Sequence, residues 1–469
     1  MTATAPTTNP YLAGNYAPIR TETSADDLPV IGTLPPQIAG LFVRNGPNPQ
    51  FSPLGTYHWF DGDSMLHGIR IRNGRASYHN RYVRTRGFQR ERQAGEALWW
   101  GLLEPADGNP DGTVKNTANT ALVWHGGRLL ALWEGGAPHA VRAPELETLG
   151  PFDFGGKLQS PVTAHPKVDP VTGEMPFYGY SLTQPPYLRY SLADASGELL
   201  WSEPIDLPVG VMMHDFAITE HYTLFMDLPL TYRSERAERG ASPLAFEPDR
   251  PARFGILPRH GDRHSIRWFE APSCFVFHTL NAYEEGDEVV LVACRMSSTQ
   301  VLEPSDASAD PEADAPRLHR WRFNLSTGGV REERLAQPLS EFPALNDRWL
   351  GRPTRYGYTA RMVSGTRTPL FDGLLKHDLA NGGTQVHAFG EGRYGGDPSF
   401  VPHPDETAED VGWLLDIVHD TNTERSELVV VDAQAFEAEP VARVLLPQRV
   451  PYGFHSAWVT EAQLQAQAV

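Results

Sequence analysis

EEGDEVVLVACR, residues 284–295, sets a Glu-Gly-Asp turn immediately ahead of an unbroken apolar run from Val289 to Cys294. So short a run, rich in β-branched residues and opened by a glycine turn, reads as a buried strand reached through a hairpin. The same phrase recurs in HGGRLLALWEGG (125–136), TEHYTLFMDLPL (219–230), AEDVGWLLDIVHD (408–420) and TERSELVVVDAQ (423–434). Helical periodicity surfaces only in short terminal text such as TEAQLQAQAV (460–469). Hairpins repeated on this scale predict an all-β barrel or propeller. Residues 234–253, rich in charge and proline, and residues 303–316, EPSDASADPEADAP, stand outside the pattern, and the second has too little apolar surface to fold alone and is expected to be a surface loop. Neither separates blocks of different composition, so residues 1–469 are expected to form one domain.

Composition supports a large core and excludes several partners. Eleven Trp, 16 Tyr and 21 Phe supply the bulky apolar groups, while 42 Gly and 41 Pro, scattered without period, punctuate many short elements. A formal charge of −18 and the lack of any basic cluster exclude a nucleic-acid binder. Cys274 and Cys294 each lie in apolar strand text, as free thiols in a reducing compartment do. The opening MTATAPTTNPYLAGNYAPIR has no basic segment followed by an apolar run, and no stretch reaches the roughly 18 apolar residues of a membrane span. The expected location is the cytoplasm. No glycine-rich nucleotide-binding fingerprint is present, so no nucleotide cofactor is expected.

Seventeen histidines remain to be sorted. His58, His125, His221, His260, His264, His319, His403 and His419 stand beside charges, Gly or Pro and are expected on the surface. His165 in PVTAHPKVDP, His214 in GVMMHDFAIT, His278 in CFVFHTLNAY and His455 in PYGFHSAWV lie instead where apolar strand text meets a turn. Their separations of 49, 64 and 177 residues rule out a local metal motif, so any shared site has to be assembled by the fold. A propeller can do this, because inner strands of successive blades converge on one axis. Four imidazoles suit iron, copper, nickel or zinc, and spacing does not choose between them.

Ordered along the chain, LFVRNGPNPQF (41–51), WFDGDSMLHGIRI (59–71), NTANTALVWHGGRLLALWEGG (116–136), AHPKVDP (164–170), MHDFAIT (213–219), RFGILPR (253–259), FHTLNAYEEGD (277–287), SEFP (340–343), GRPTRYGYTA (351–360) and YGFHSAW (452–458) resemble the carotenoid cleavage oxygenase family, which includes the lignostilbene dioxygenases. The resemblance implies a seven-bladed β-propeller with Fe(II) on its axis, held by His165, His214, His278 and His455. It further implies that glutamates hold three of these rings from behind, at the positions of Glu134, Glu341 and Asp397. Aspartate is a departure there, one methylene short, so a closer strand or a water has to fill the gap. His67 matches a structural part of the family pattern and stays outside the site.

The implied reaction is addition of O₂ across an electron-rich alkene and its scission into two carbonyl products, without NADH or flavin. Thr120 matches a residue facing an open coordination position in some relatives; its alternative role is that of an ordinary strand threonine. Phe275, Phe277, Phe454 and Trp458 flank the ligand positions and could line an apolar tunnel, although strand alternation lets only some of them face it. Lignostilbene-cleaving relatives carry a lysine just before the glutamate where this chain has Trp133, which favours a carotenoid or apocarotenoid over a stilbene or phenylpropenoid. EALWWGLLEP (96–105) matches a membrane-facing patch of carotenoid-cleaving relatives, so Leu98, Trp99 and Trp100 are candidates for peripheral membrane contact; the alternative is a buried strand. A non-catalytic propeller used only for binding is the remaining reading, opposed by four intact histidines.

Overall fold

The computed structural model describes residues 9–104, 106–299 and 314–468, which leaves most of the acidic stretch 303–316 outside the described residues. The turn of residues 284–295 joins Phe275–Glu285 to Glu288–Met296, and Arg317–Asn324 and Val330–Arg334 complete a four-stranded antiparallel sheet. Six further antiparallel sheets, of three to six strands each, are arranged with it as a seven-bladed β-propeller. Their longer strands include Ser64–Arg72, Arg128–Leu132, Met175–Tyr180, Ala252–Pro258, Phe371–Asp378 and Gly412–Asp420.

Each blade is covered on both faces by its neighbours, which is why its central strands read as continuous apolar runs rather than as alternation. The interior is accordingly a set of slabs between blades. In one, Leu224, Met226 and Phe254 of one blade meet Phe275, Leu291 and Trp321 of the next. In another, Phe42, Ile69 and Tyr78 near the N-terminus meet Leu415, Ile417 and Val430 near the C-terminus. Full burial of each such side chain contributes roughly 1.5–3 kcal/mol.

The circle is closed by the two ends of the chain. Ser456–Thr460 pairs antiparallel with Gly40–Pro47, and Val30–Gly32 pairs with Ala442–Leu445, so each terminal segment completes a blade begun at the other end. Residues 234–253 do leave the blade framework, as a helix Ser234–Glu238 and a strand Leu244–Phe246 that pairs with Leu230–Tyr232. The terminal helix forms over Glu461–Gln465, capped by the Thr460 hydroxyl. Cys274 and Cys294 are buried free thiols.

Two histidines expected on the surface are buried. His125 reaches the Gly173 carbonyl at 3.1 Å and His419 reaches Ser426 Oγ at 3.4 Å. Both lie at hairpin ends, where text that looks like an exposed turn is covered by an adjoining loop and the imidazole meets a polar group there.

Candidate metal centre

Each histidine is delivered by a break in strand regularity. His165 lies in an extended segment that takes the inner place of a blade otherwise built of three strands, through Thr163 N–H to Tyr178 O at 2.7 Å and Lys167 N–H to Pro176 O at 3.2 Å. His214 precedes the two-residue strand Ala217–Ile218. His278 falls where the register of Phe275–Glu285 shifts, between Val276 and Thr279. His455 stands just ahead of Ser456–Thr460, its N–H on Thr120 O at 3.1 Å and its carbonyl accepting Asn45 N–H at 2.9 Å.

These breaks bring four rings to one point. A ring nitrogen of each lies within 4.8 Å of those of the others, and His214 Nε2 is 3.1 Å from His165 Nε2 and 3.2 Å from His278 Nε2. Carboxylates fix two of the protons from behind: Glu134 Oε2 is 2.9 Å from His214 Nδ1, and Glu341 Oε2 is 2.6 Å from His278 Nδ1. With Nδ1 donating, the Nε2 lone pairs of His214 and His278 face each other.

Burial holds His165 and His278 well below the ordinary imidazole range, and the neighbouring rings push the same way. Burial also opposes a charge on His214, but Glu134 outweighs it and leaves this ring raised. Imidazole nitrogens bound at right angles, each about 2.1 Å from one ion, lie about 3.0 Å apart, so the spacing and donor set fit a metal ion with imidazole ligands.

The supports behind the rings differ in reach. Glu341 sits at a bulge in Ser340–Ala344, where Phe342 takes φ +52°, a left-handed conformation uncommon for a bulky residue. This turn lets Glu341 Oε2 accept the Phe342 N–H as well, and lays the Phe342 ring on His278 at 5.6 Å. Burial pushes the Glu341 carboxyl up to about 8, against the Phe342 N–H; a divalent ion beyond His278 favours its ionised form. Asp397 Oδ2 stays 3.6 Å from His455 Nδ1, outside hydrogen-bond reach, and accepts Ser456 N–H at 2.7 Å. That gap is the missing methylene. Among the described residues, no carboxylate reaches the His165 ring.

Asp215 and Lys167 escaped the reading of the sequence. Asp215 Oδ2 accepts the N–H and Oγ–H of Thr279, both at 2.8 Å, while Oδ1 is 2.7 Å from Lys167 Nζ. Lys167, Asp215 and Thr279 each follow a ligand position by one or two residues, so this triad ties three histidine segments together. The Asp beside His214 in MMHDF was the one available signal.

A cleft of about 970 Å³ leads to the histidines, lined by Thr120, Trp133, Phe277, Phe342, Phe371 and Phe454 among others. Phe277 stands edge-on to His214 at 5.4 Å. Trp133 lies flat on Gly135, where a Cβ would come within 2.4 Å of its ring. Phe275 and Trp458 do not line the cleft: Phe275 sits in the core behind Phe277, and Trp458 packs in the slab between the first and last blades. His58, expected on the surface, is half-buried in the cleft wall with Tyr11. His67 is buried outside it, 2.8 Å from Tyr78 Oη. Residues 97–103 form no strand; Leu98 and Trp99 are half-buried, and Trp100, Leu102 and Leu103 are exposed.

Residues 16–460 match the family described as retinal pigment epithelial membrane protein. The chain is 44% identical to carotenoid 9,10(9′,10′)-cleavage dioxygenase 1 of Arabidopsis thaliana, across 98% of this chain and 91% of that one. Among solved structures it is similar to the lignostilbene dioxygenase of Pseudomonas brassicacearum, with a TM-score of 0.89 and 33% identity over 96% of this chain and 98% of that one. It is also similar to an apocarotenoid oxygenase variant of Synechocystis, with a TM-score of 0.85 and 30% identity over 95% and 98% of the two chains.

Proposed function

The chain belongs to the carotenoid cleavage oxygenase family, and from that premise we propose that it is an iron(II)-dependent dioxygenase that cleaves a C=C bond of a carotenoid or apocarotenoid into two carbonyl products. The observation that carries this reading is the convergence of four imidazoles at the head of an apolar cleft. His165, His214, His278 and His455 hold the metal. Iron there would supply the one-electron chemistry that dioxygen requires, which zinc lacks.

The rest of the work belongs to the side chains. Glu134 and Glu341 keep a proton on Nδ1 of His214 and His278, so that each ring offers Nε2 and cannot rotate. Asp397 supports His455 by holding the Ser456 backbone rather than the ring. Phe277, Phe342 and Phe454 keep water from the reacting alkene and fit a conjugated chain. Thr120, in the cleft wall, limits what approaches the metal from its side.

Trp133 decides between substrate classes. It presents an apolar face next to Glu134, and a phenolate buried there without a partner would cost about 1–3 kcal/mol. The protein should therefore turn over an apocarotenal with a kcat/KM roughly ten- to a hundredfold above that of 4-hydroxystilbene, and Trp133→Lys should narrow the ratio. A wild-type enzyme that cleaves the stilbene tenfold faster replaces this reading with a stilbene or phenylpropenoid oxygenase. No described helix is long and apolar enough to cross a membrane. The chain works in the cytoplasm, as its buried free thiols favour, and meets a membrane surface through Leu98, Trp99 and Trp100, with Leu102 and Leu103 exposed beside them.

A further inference from the structure

The titratable side chains in the cleft wall fall into two groups. Glu134, Glu341 and the histidines gather at the metal, whereas Tyr11 and His58 stand apart from it. The path between runs through rings: Phe454 adjoins His455, Phe60 meets Phe454 at 5.4 Å, and His58 meets Phe60 at 4.5 Å. His58 caps the short helix Trp59–Asp61, its Nδ1 accepting the Phe60 N–H at 3.2 Å. Burial lowers the ring to about 4, so it is neutral at pH 7 and its one proton resides on Nε2.

Among the described residues that Nε2–H has no acceptor. The Tyr11 hydroxyl likewise has no partner among them, although the adjacent Tyr16 hydroxyl donates to Pro369 O. The rings of Tyr11 and His58 are 5.6 Å apart. A purely hydrocarbon occupant would strip water from both groups and return nothing.

We propose that Tyr11 and His58 form a polar subsite, removed from the metal, that recognises a hydroxyl or carbonyl oxygen on the end group of the substrate. The oxygen accepts from His58 Nε2–H, and the Tyr11 hydroxyl donates to it or accepts from it. The inference rests on the alkene-cleaving reading of the cleft and adds to it a preference for oxygenated ends.

The test is anaerobic equilibrium binding to the iron-loaded protein, read by quenching of tryptophan fluorescence, since Trp59 and Trp133 line the cleft. Two matched pairs separate the sources of the oxygen: an apocarotenal with and without a 3-hydroxyl on its ring, and stilbene with and without a 4-hydroxyl. Wild type should bind the hydroxylated apocarotenal roughly five- to tenfold more tightly than its partner. His58→Phe and Tyr11→Phe should each bring that ratio towards one, by weakening the hydroxylated ligand and leaving its unhydroxylated partner bound equally or more tightly, since no polar group is then stripped of water. His58→Asn retains an acceptor for the Phe60 N–H but is too short to reach the ligand, so a collapsed ratio with normal circular dichroism in this variant confirms recognition rather than misfolding. An equal preference in wild type, or a ratio unchanged in both Phe variants, overturns the subsite. An effect confined to the stilbene pair supports the subsite and removes the polyene as substrate. Failure of both pairs to bind overturns the subsite together with the reading of the cleft.

Discussion

Glu341 accepts two donors with one oxygen, the Nδ1–H of His278 and the N–H of Phe342. Glutamine would keep an acceptor but lose the charge that stabilises the ring as a ligand. Glu341→Gln should therefore lower iron occupancy or kcat by roughly 10- to 100-fold with the fold intact, as measured by elemental analysis and steady-state turnover. Asp397→Asn should be milder, because its oxygen is already 3.6 Å from His455 Nδ1. Equal and negligible effects at both positions would remove the supporting role. At this scale the sequence was readable where chemistry and context coincide: the four histidines stood out because apolar strand text surrounded them. His58 did not, since HWFD between Gly55 and Gly62 reads as a surface turn; only the neighbouring aromatic rings turn it into a cleft wall. Lys167 and Asp215 were hidden because their partnership crosses blades.

The strand Ser456–Thr460 shows how an element transmits position to the site. It is held by Gly40–Pro47, and His455 is the residue before it. Gly40 is needed there because a Cβ would fall 2.4 Å from both Trp458 Cζ2 and Val459 O. Gly40→Val should cost about 1–3 kcal/mol and weaken iron binding through displaced His455, both visible as a lower melting temperature and a lower metal content. An unchanged melt would contradict the closing role of this strand. The hairpins were legible because blade strands are covered on both faces and keep unbroken apolar runs. The segment carrying His165 was not legible as an element, since Pro161 and Pro166 lack the N–H that a regular ladder needs. The left-handed Phe342 likewise has no signature in SEFP.

Across the whole molecule, distant segments are joined by buried ion pairs as well as by slabs of apolar side chains. Asp169, fully buried, meets Arg259 at the end of one blade and Arg352 in another at 3.2 Å. Burial alone would raise the Asp169 carboxyl, but hydrogen bonds from Arg259, the Val171 and Thr172 amides and Arg352 bring it from 3.8 down to about 2. A depressed carboxyl stabilises the fold fully above its unfolded value and loses that contribution as pH falls from about 4 through about 2, an amount on the order of 2 kcal/mol. Asp169→Asn should lower stability at neutral pH and flatten the acid limb of the denaturation curve; an acid limb identical to wild type would reject the network. Blade number was the part of the architecture that hairpin text could not supply, because repeated hairpins suit a barrel as well as a propeller, and only the family resemblance implied seven. The central claim, that the blades meet to hold one catalytic iron on four imidazoles, is tested most directly by the iron content per chain in wild type and in the four single His→Ala variants. About one iron per chain in wild type, lost together with cleavage activity in His214→Ala, is the predicted result; iron content unchanged in all four variants would contradict it.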